Sequence, residues 1–120
     1  MLPKEKRLRN TKDFKKVYQK GAFLFGTLVS INFLNNRTHE TRIGVVVTKK
    51  FSSKAVLRNK VKRNIREAAH SLYDMSPRGY DIIINAKNGS NGASVSDIKK
   101  ELQGLLSKVG KNEKNNPFYN

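Results

Sequence analysis

Between residues 57 and 72 the apolar side chains Leu57, Val61, Ile65, Ala68 and Leu72 recur in steps of four and three. That spacing lays one stripe along an α-helix, which advances about 100° per residue. Arg58, Asn59, Lys62, Arg63 and Arg66 then cover the opposite side. The chain must therefore bury one side of a long helix and leave a cationic side out.

That cationic side is poorly explained by contact with water alone. The run from Lys49 to Glu67 holds eight Lys or Arg and no carboxylate before its last residue. Arg58, Lys62 and Arg66 stand at i,i+4, where like charges repel by a few tenths of a kcal/mol. Only Glu67, four residues after Arg63, offers relief. A solvated face is the plain alternative, but uncompensated repulsion is most simply explained by a polyanionic partner. The formal net charge of +16 ranks nucleic acid ahead of a membrane surface or an acidic protein. Sign alone does not separate RNA from DNA.

At 120 residues and 37% hydrophobic content, one globular domain spanning 1–120 is expected. The absence of cysteine excludes a disulfide framework, thiolate zinc sites and cysteine catalysis, and fits a reducing cytoplasm. No signal-type apolar run follows the basic start, and no segment approaches the roughly 18 apolar residues of a membrane span. A soluble cytoplasmic protein without membrane contact is expected.

Residues 1–10 read as a basic arm anchored by Leu8, with Pro3 opposing helix so early. Thr11 is placed to cap a short helix that Gly21 ends, with Asp13 near its positive end and Phe14, Val17 and Tyr18 on one face. Alternation predicts strands over 27–34 and 42–48, and Phe23 to Phe25 suggest a short one. The basic helix should run from about 54 to 73 with Ser53 as its cap. Ile82-Ile83-Ile84 within 80–86 reads as a central strand covered on both faces. Residues 88–92 form a loop. Ser94 and Asp97 resemble a capping box before a last amphipathic helix through Ile98, Leu102, Leu105, Leu106 and Val109, and 110–120 should be a flexible tail. This order of elements indicates a two-layer α+β or α/β sandwich. A crossover from the second long strand through the basic helix to the third would be right-handed in about 98% of proteins.

Catalytic constellations are thin. His39 and His70 fit no triad order, and the nine acidic residues are scattered without a paired spacing for Mg²⁺. Phosphate-binding glycine loops are absent. Phe14 and Tyr18, one helical turn apart beside the basic arm, could stack unpaired bases or could simply pack on a sheet. Ser30 and Asn32 could line the same groove or face water.

The order of motifs resembles the protein subunit of bacterial ribonuclease P over most of the chain. Arg7-Leu8, Asp13-Phe14, Val17-Tyr18 and Gly21 are similar to that family's opening. Gly44-Val45-Val46-Val47-Thr48-Lys49-Lys50 is similar to the strand and lysine pair that follow. The segment from Ala55 to Glu67 resembles the family signature, and Gly79 to Ala86 the strand after it. The resemblance implies a ribosomal protein S5 domain 2-like α+β sandwich with a left-handed βαβ crossover, in place of the statistical right-handed one. It implies a cofactor role in an RNA enzyme that removes the 5′ leader from precursor tRNA, with the active site and its Mg²⁺ on the RNA subunit and no cofactor or metal on this chain. Carried over by position, Arg58, Asn59, Lys60, Lys62, Arg63 and Arg66 would contact the RNA subunit. Phe14, Val17, Tyr18, Ser30, Asn32, Lys49 and Lys50 would line the cleft for the single-stranded leader. Lys60 stands where the family usually has arginine, which keeps charge but loses a planar fork. Ser30 and Asn32 make the cleft more polar than an aromatic version. The rival readings are a ribosomal-type RNA-binding protein and a self-sufficient metal-dependent nuclease.

Overall fold

The computed structural model describes residues 2–110. Seven regular elements follow in the order α1 (Thr11–Lys20), β1 (Ala22–Leu24), β2 (Val29–Asn35), β3 (Arg42–Val46), α2 (Ala55–Leu72), β4 (Tyr80–Ala86) and α3 (Val95–Lys108). The four strands form one mixed sheet in the order β1-β2-β4-β3. β4 pairs antiparallel with β2 and parallel with β3, so α2 is the crossover between neighbouring parallel strands.

The isoleucine run of β4 sits centrally, as its sequence predicts. Ile82, Ile83 and Ile84 are all fully buried. Ile82 and Ile84 face the larger core, with Val29, Ile31 and Phe33 of β2 beside them and the apolar stripes of α2 and α3 above. Each such side chain contributes about 1.5–3 kcal/mol when fully buried. Ile83 faces the other way, into a smaller core with Leu8 and Val17. The sheet therefore carries α2 and α3 on one face and α1 on the other, and the second face is only partly covered. The expected two-layer sandwich gains a partial third layer because one short helix cannot span four strands.

The arm is ordered along the edge of β3. Residues 4–6 form a single 3₁₀ turn after Pro3, where no helix was expected. The Leu8 amide then donates to the Ile43 carbonyl at 3.0 Å, which places residues 7–8 beside β3 and covers that edge.

Two helix caps differ from the sequence expectation. α1 is capped by Asn10, whose Oδ1 accepts from the Lys12 amide at 2.9 Å, and Thr11 is the first helical residue. α2 starts after Lys54 rather than Ser53, without a side-chain cap. The nearby hydroxyl is engaged one residue earlier, Ser52 Oγ accepting from the Lys54 amide at 3.1 Å. Ser94 caps α3 as expected, its Oγ accepting from the Asp97 amide at 3.0 Å. Gly21 ends α1 for reasons of space, because its φ of −84° suits any residue. A Cβ there would collide with the carbonyls of Val17 and Phe33. β2 and β3 start or end within two residues of expectation, and β1 takes the place of the suggested short strand. The expected tail lies, beyond Gly110, outside the described residues.

Candidate nucleic-acid interface

The stripe of α2 turns inward as its periodicity requires, with Val61, Ile65, Ala68 and Leu72 buried and Leu57 partly so. This leaves Asn59, Lys60, Arg63 and Arg66 exposed and Arg58 and Lys62 half-buried at the flank. Among the described residues none of these cations makes an ion pair, the only salt bridges being those of Arg42. Arg58 is held by its own loop, Nη1 donating to the Ser52 carbonyl at 2.8 Å. The first turn of α2 carries no acidic residue, so the positive end of the helix dipole adds to the same field.

A second surface lies on the far side of the sheet, where α1 leaves a groove. Phe14 rests half-buried on Gly44, where a Cβ would stand 2.6 Å from the ring's Cζ. Val17 is fully buried against Ile83 and Leu8. Tyr18 remains 47% exposed, and its hydroxyl donates to Asn85 Oδ1 at 2.8 Å. Asn85 Nδ2 donates in turn to Asn32 Oδ1 at 2.8 Å, which extends the chain of hydrogen bonds from α1 across β4 to β2. Partial burial pushes the Tyr18 phenol above its ordinary value, so it stays protonated and donating at neutral pH. Ser30 is paired in register with Asn85 and is buried beneath the groove.

An ionic clamp sets the position of α1. Arg42 grips Asp81 with two bonds, Nε to Oδ1 at 2.9 Å and Nη2 to Oδ2 at 2.7 Å. Its Nη1 also reaches Asp13 of α1 at 3.2 Å. The Asp81 hydrogen bonds lift the Arg42 guanidinium above its ordinary value against the cost of burial, which keeps the fork charged.

The sequence-derived residues thus divide into surface and support. Phe14, Tyr18 and Asn32 face the groove, whereas Val17 and Ser30 lie under it and shape its floor. Lys49 and Lys50 are exposed on the turn closed by the Phe51 amide and the Thr48 carbonyl. Val46 pairs in register with Asn85, so this turn follows the end of the sheet where Tyr18 is bound. The arm joins the two surfaces. Arg7, Arg9, Phe14, Lys62 and Arg66 surround a cavity of about 280 Å³ at the β3 edge. Asn85 was not singled out because only strand register brings it beneath Tyr18. Arg9 became relevant only when Leu8 fixed the arm. Among the described residues no three His, Asp or Glu side chains converge as metal ligands, and no helix is long and apolar enough to cross a membrane.

Residues 2–110 match the family model for ribonuclease P. A relative from Clostridium botulinum (strain 657 / Type Ba4), named ribonuclease P protein component, is 40% identical over 108 residues, covering 89% of this chain and 96% of its own. A relative of the same name from Pseudanabaena sp. is 37% identical over 110 residues, covering 91% and 95%. Among solved structures, the Staphylococcus aureus RNase P protein superposes with a TM-score of 0.76 at 30% identity, covering 89% of this chain and 97% of that one. The Thermotoga maritima RNase P protein does so with a TM-score of 0.78 at 29% identity, covering 86% and 96%.

Proposed function

The chain belongs to the ribonuclease P protein family and has the role of that enzyme's protein subunit, and from this premise we propose how its two surfaces divide the work. α2 docks on the RNA subunit through Arg58, Asn59, Lys60, Lys62, Arg63 and Arg66. The groove beside α1 receives the single-stranded 5′ leader of precursor tRNA. The observation that carries this reading is an exposed cationic helix face without ion pairs among the described residues, joined at the β3 edge through Arg7, Arg9 and Phe14 to the groove beside α1.

Each surface has chemistry suited to its share. Guanidinium groups can fork onto phosphates in two-point contacts, and Lys60 and Lys62 act as point charges. In the groove, Tyr18 and the exposed edge of Phe14 offer stacking surfaces, and Asn32 offers an amide to a base edge. Lys49 and Lys50 meet the leader backbone, while Val17 and Ser30 hold the floor in shape. Hydrolysis and its Mg²⁺ belong to the RNA subunit, and this chain supplies affinity and screens phosphate repulsion. The same reading carries the S5 domain 2-like class, a left-handed β3-α2-β4 crossover and a cytoplasmic setting.

Reconstitution tests it. Precursor tRNA and Mg²⁺ are mixed with this chain alone, with the RNA subunit alone, and with both. Cleavage is expected only where the RNA subunit is present, and the protein should tighten binding of precursor over mature tRNA. Cleavage by the chain alone would overturn the assignment of chemistry to RNA.

A further inference from the structure

Phe23 and Phe25 are 51% and 66% exposed. Phe23 pairs in register with Asn32 on β2, so it lies on the groove side of the sheet. The two rings stand 6.1 Å apart between centroids at 59°, and Lys87 Nζ lies 4.1 Å from the Phe25 centroid. A continuous path thus runs from Tyr18 through Asn85 and Asn32 to Phe23, Phe25 and Lys87.

This outer patch is held in place by α3. Glu101 accepts from the amides of Thr27 at 3.0 Å, Leu28 at 2.7 Å and Val29 at 2.8 Å, and from Thr27 Oγ1 at 2.7 Å. The Lys87 amide donates to the Leu28 carbonyl at 3.0 Å, fixing the cation beside the same turn. The core does not use these rings, which belong to neither buried cluster. Two exposed phenyl groups on a braced turn, with a cation over one of them, suit a flat, negatively charged occupant.

We propose that Phe23, Phe25 and Lys87 extend the groove into a second stacking platform for unpaired bases of the 5′ leader, with Lys87 also placed for a leader phosphate. This rests on the leader reading above. β1 and β3 are opposite edges of the sheet, and the groove meets α2 at the β3 edge. The platform therefore takes nucleotides upstream of those at Tyr18, on the side away from the RNA subunit. Charge favours RNA over a protein occupant in a chain of +16.

The test measures binding of the reconstituted complex to three substrates: mature tRNA, precursor with a leader that ends at the groove, and precursor with a leader extended several nucleotides upstream. Phe23→Ala/Phe25→Ala should weaken the long-leader substrate by about tenfold, the loss of one stacked base, and leave the short-leader substrate unchanged. Phe25→Trp should retain the wild-type preference. Because both rings are exposed, thermal unfolding of the double variant should match wild type. Equal weakening of both leaders, or none, overturns the platform, and a surface for another protein would give that second result. Tyr18→Ala separates the two readings. If it weakens the short-leader substrate while the double variant shows no length dependence, the platform alone fails. If the wild-type complex shows no preference for any leader, both fail.

Discussion

In the proposed division of work the outer face of α2 and the groove beside α1 both meet a polyanion, but they are built on opposite physical terms. On α2 the groups are long cations without ion pairs among the described residues, and only Arg58 is held by a hydrogen bond to its own loop. In the groove the groups are fixed, Phe14 by its seat on Gly44 and Tyr18 by its bond to Asn85. The first surface attracts at long range and tolerates imprecise geometry. The second works at contact distance and depends on the placement of α1. Salt should weaken the first far more than the second.

The largest expected effect breaks the α2 side alone. Arg58→Gln/Lys62→Gln/Arg66→Gln should lower affinity for the RNA subunit roughly a hundredfold at low salt. It should also flatten the log affinity against log salt slope by about 2, near 0.7–0.9 per lost phosphate contact. Folding should be retained, and Arg58 should contribute least because of its bond to Ser52. An unchanged slope in a salt titration would remove α2 from the interface.

The clamp under the groove comes next. Asp81→Ala removes the anchor of Arg42 on β4 and leaves that side chain, 33% exposed, its contact with Asp13, so α1 is no longer tied to β4 through the pair. Partial exposure discounts the cost of a fully buried pair to about 2–3 kcal/mol. Denaturant unfolding should register that loss, and leader discrimination should fall while the salt slope stays. A loss of slope instead would mean that the two surfaces are not separable.

A finer probe is Tyr18→Phe, which keeps the ring and deletes the hydroxyl that donates to Asn85. Stability should fall by about 1 kcal/mol. Stacking on the leader should survive, so binding should change less than in Tyr18→Ala. Equal losses in both variants would show that the hydroxyl, not the ring, carries the contact.

The smallest effect concerns pH and should leave both surfaces alike. For Glu101 the largest single influence, burial, raises the carboxyl, but the hydrogen bonds from Thr27, Val29 and Leu28 together outweigh it. The net direction is below the ordinary value near 4.5. A depressed carboxyl lends stability that is fully present above the ordinary value and is lost as pH falls through the folded one. Thermal unfolding followed downward from pH 5 should show wild type losing stability that Glu101→Gln lacks throughout. Parallel curves would mean that the carboxylate is not what braces the turn before β2.

Much of the fold was legible because burial imposes period. The stripe of α2 and the alternation of β2 each separate one face from the other, and the isoleucine run of β4 marks a strand covered on both. The cationic residues of α2 were legible for the same reason, as what remained once the buried stripe was assigned. The groove was only half legible. Phe14 and Tyr18 could be paired by helical spacing, but nothing local says that Val17 and Ser30 are sealed beneath while Asn32 stays at the surface. Phe23 and Phe25 suggest a strand but carry too short a pattern to assign a face, since β1 has three residues and Phe25 lies just past its end.

What the sequence determined by itself was which side of each element turns inward and how much positive charge is left outside, because hydrophobic periodicity and charge are properties of neighbours along the chain. Only the tertiary structure decided that α1 sits on the opposite face from α2, that Asn85 lies under Tyr18 and that the arm closes the β3 edge. Those facts depend on strand order and register, where residues 67 positions apart meet at 2.8 Å. No local pattern encodes such a meeting, because each partner's spacing is satisfied equally well wherever the other strand is placed.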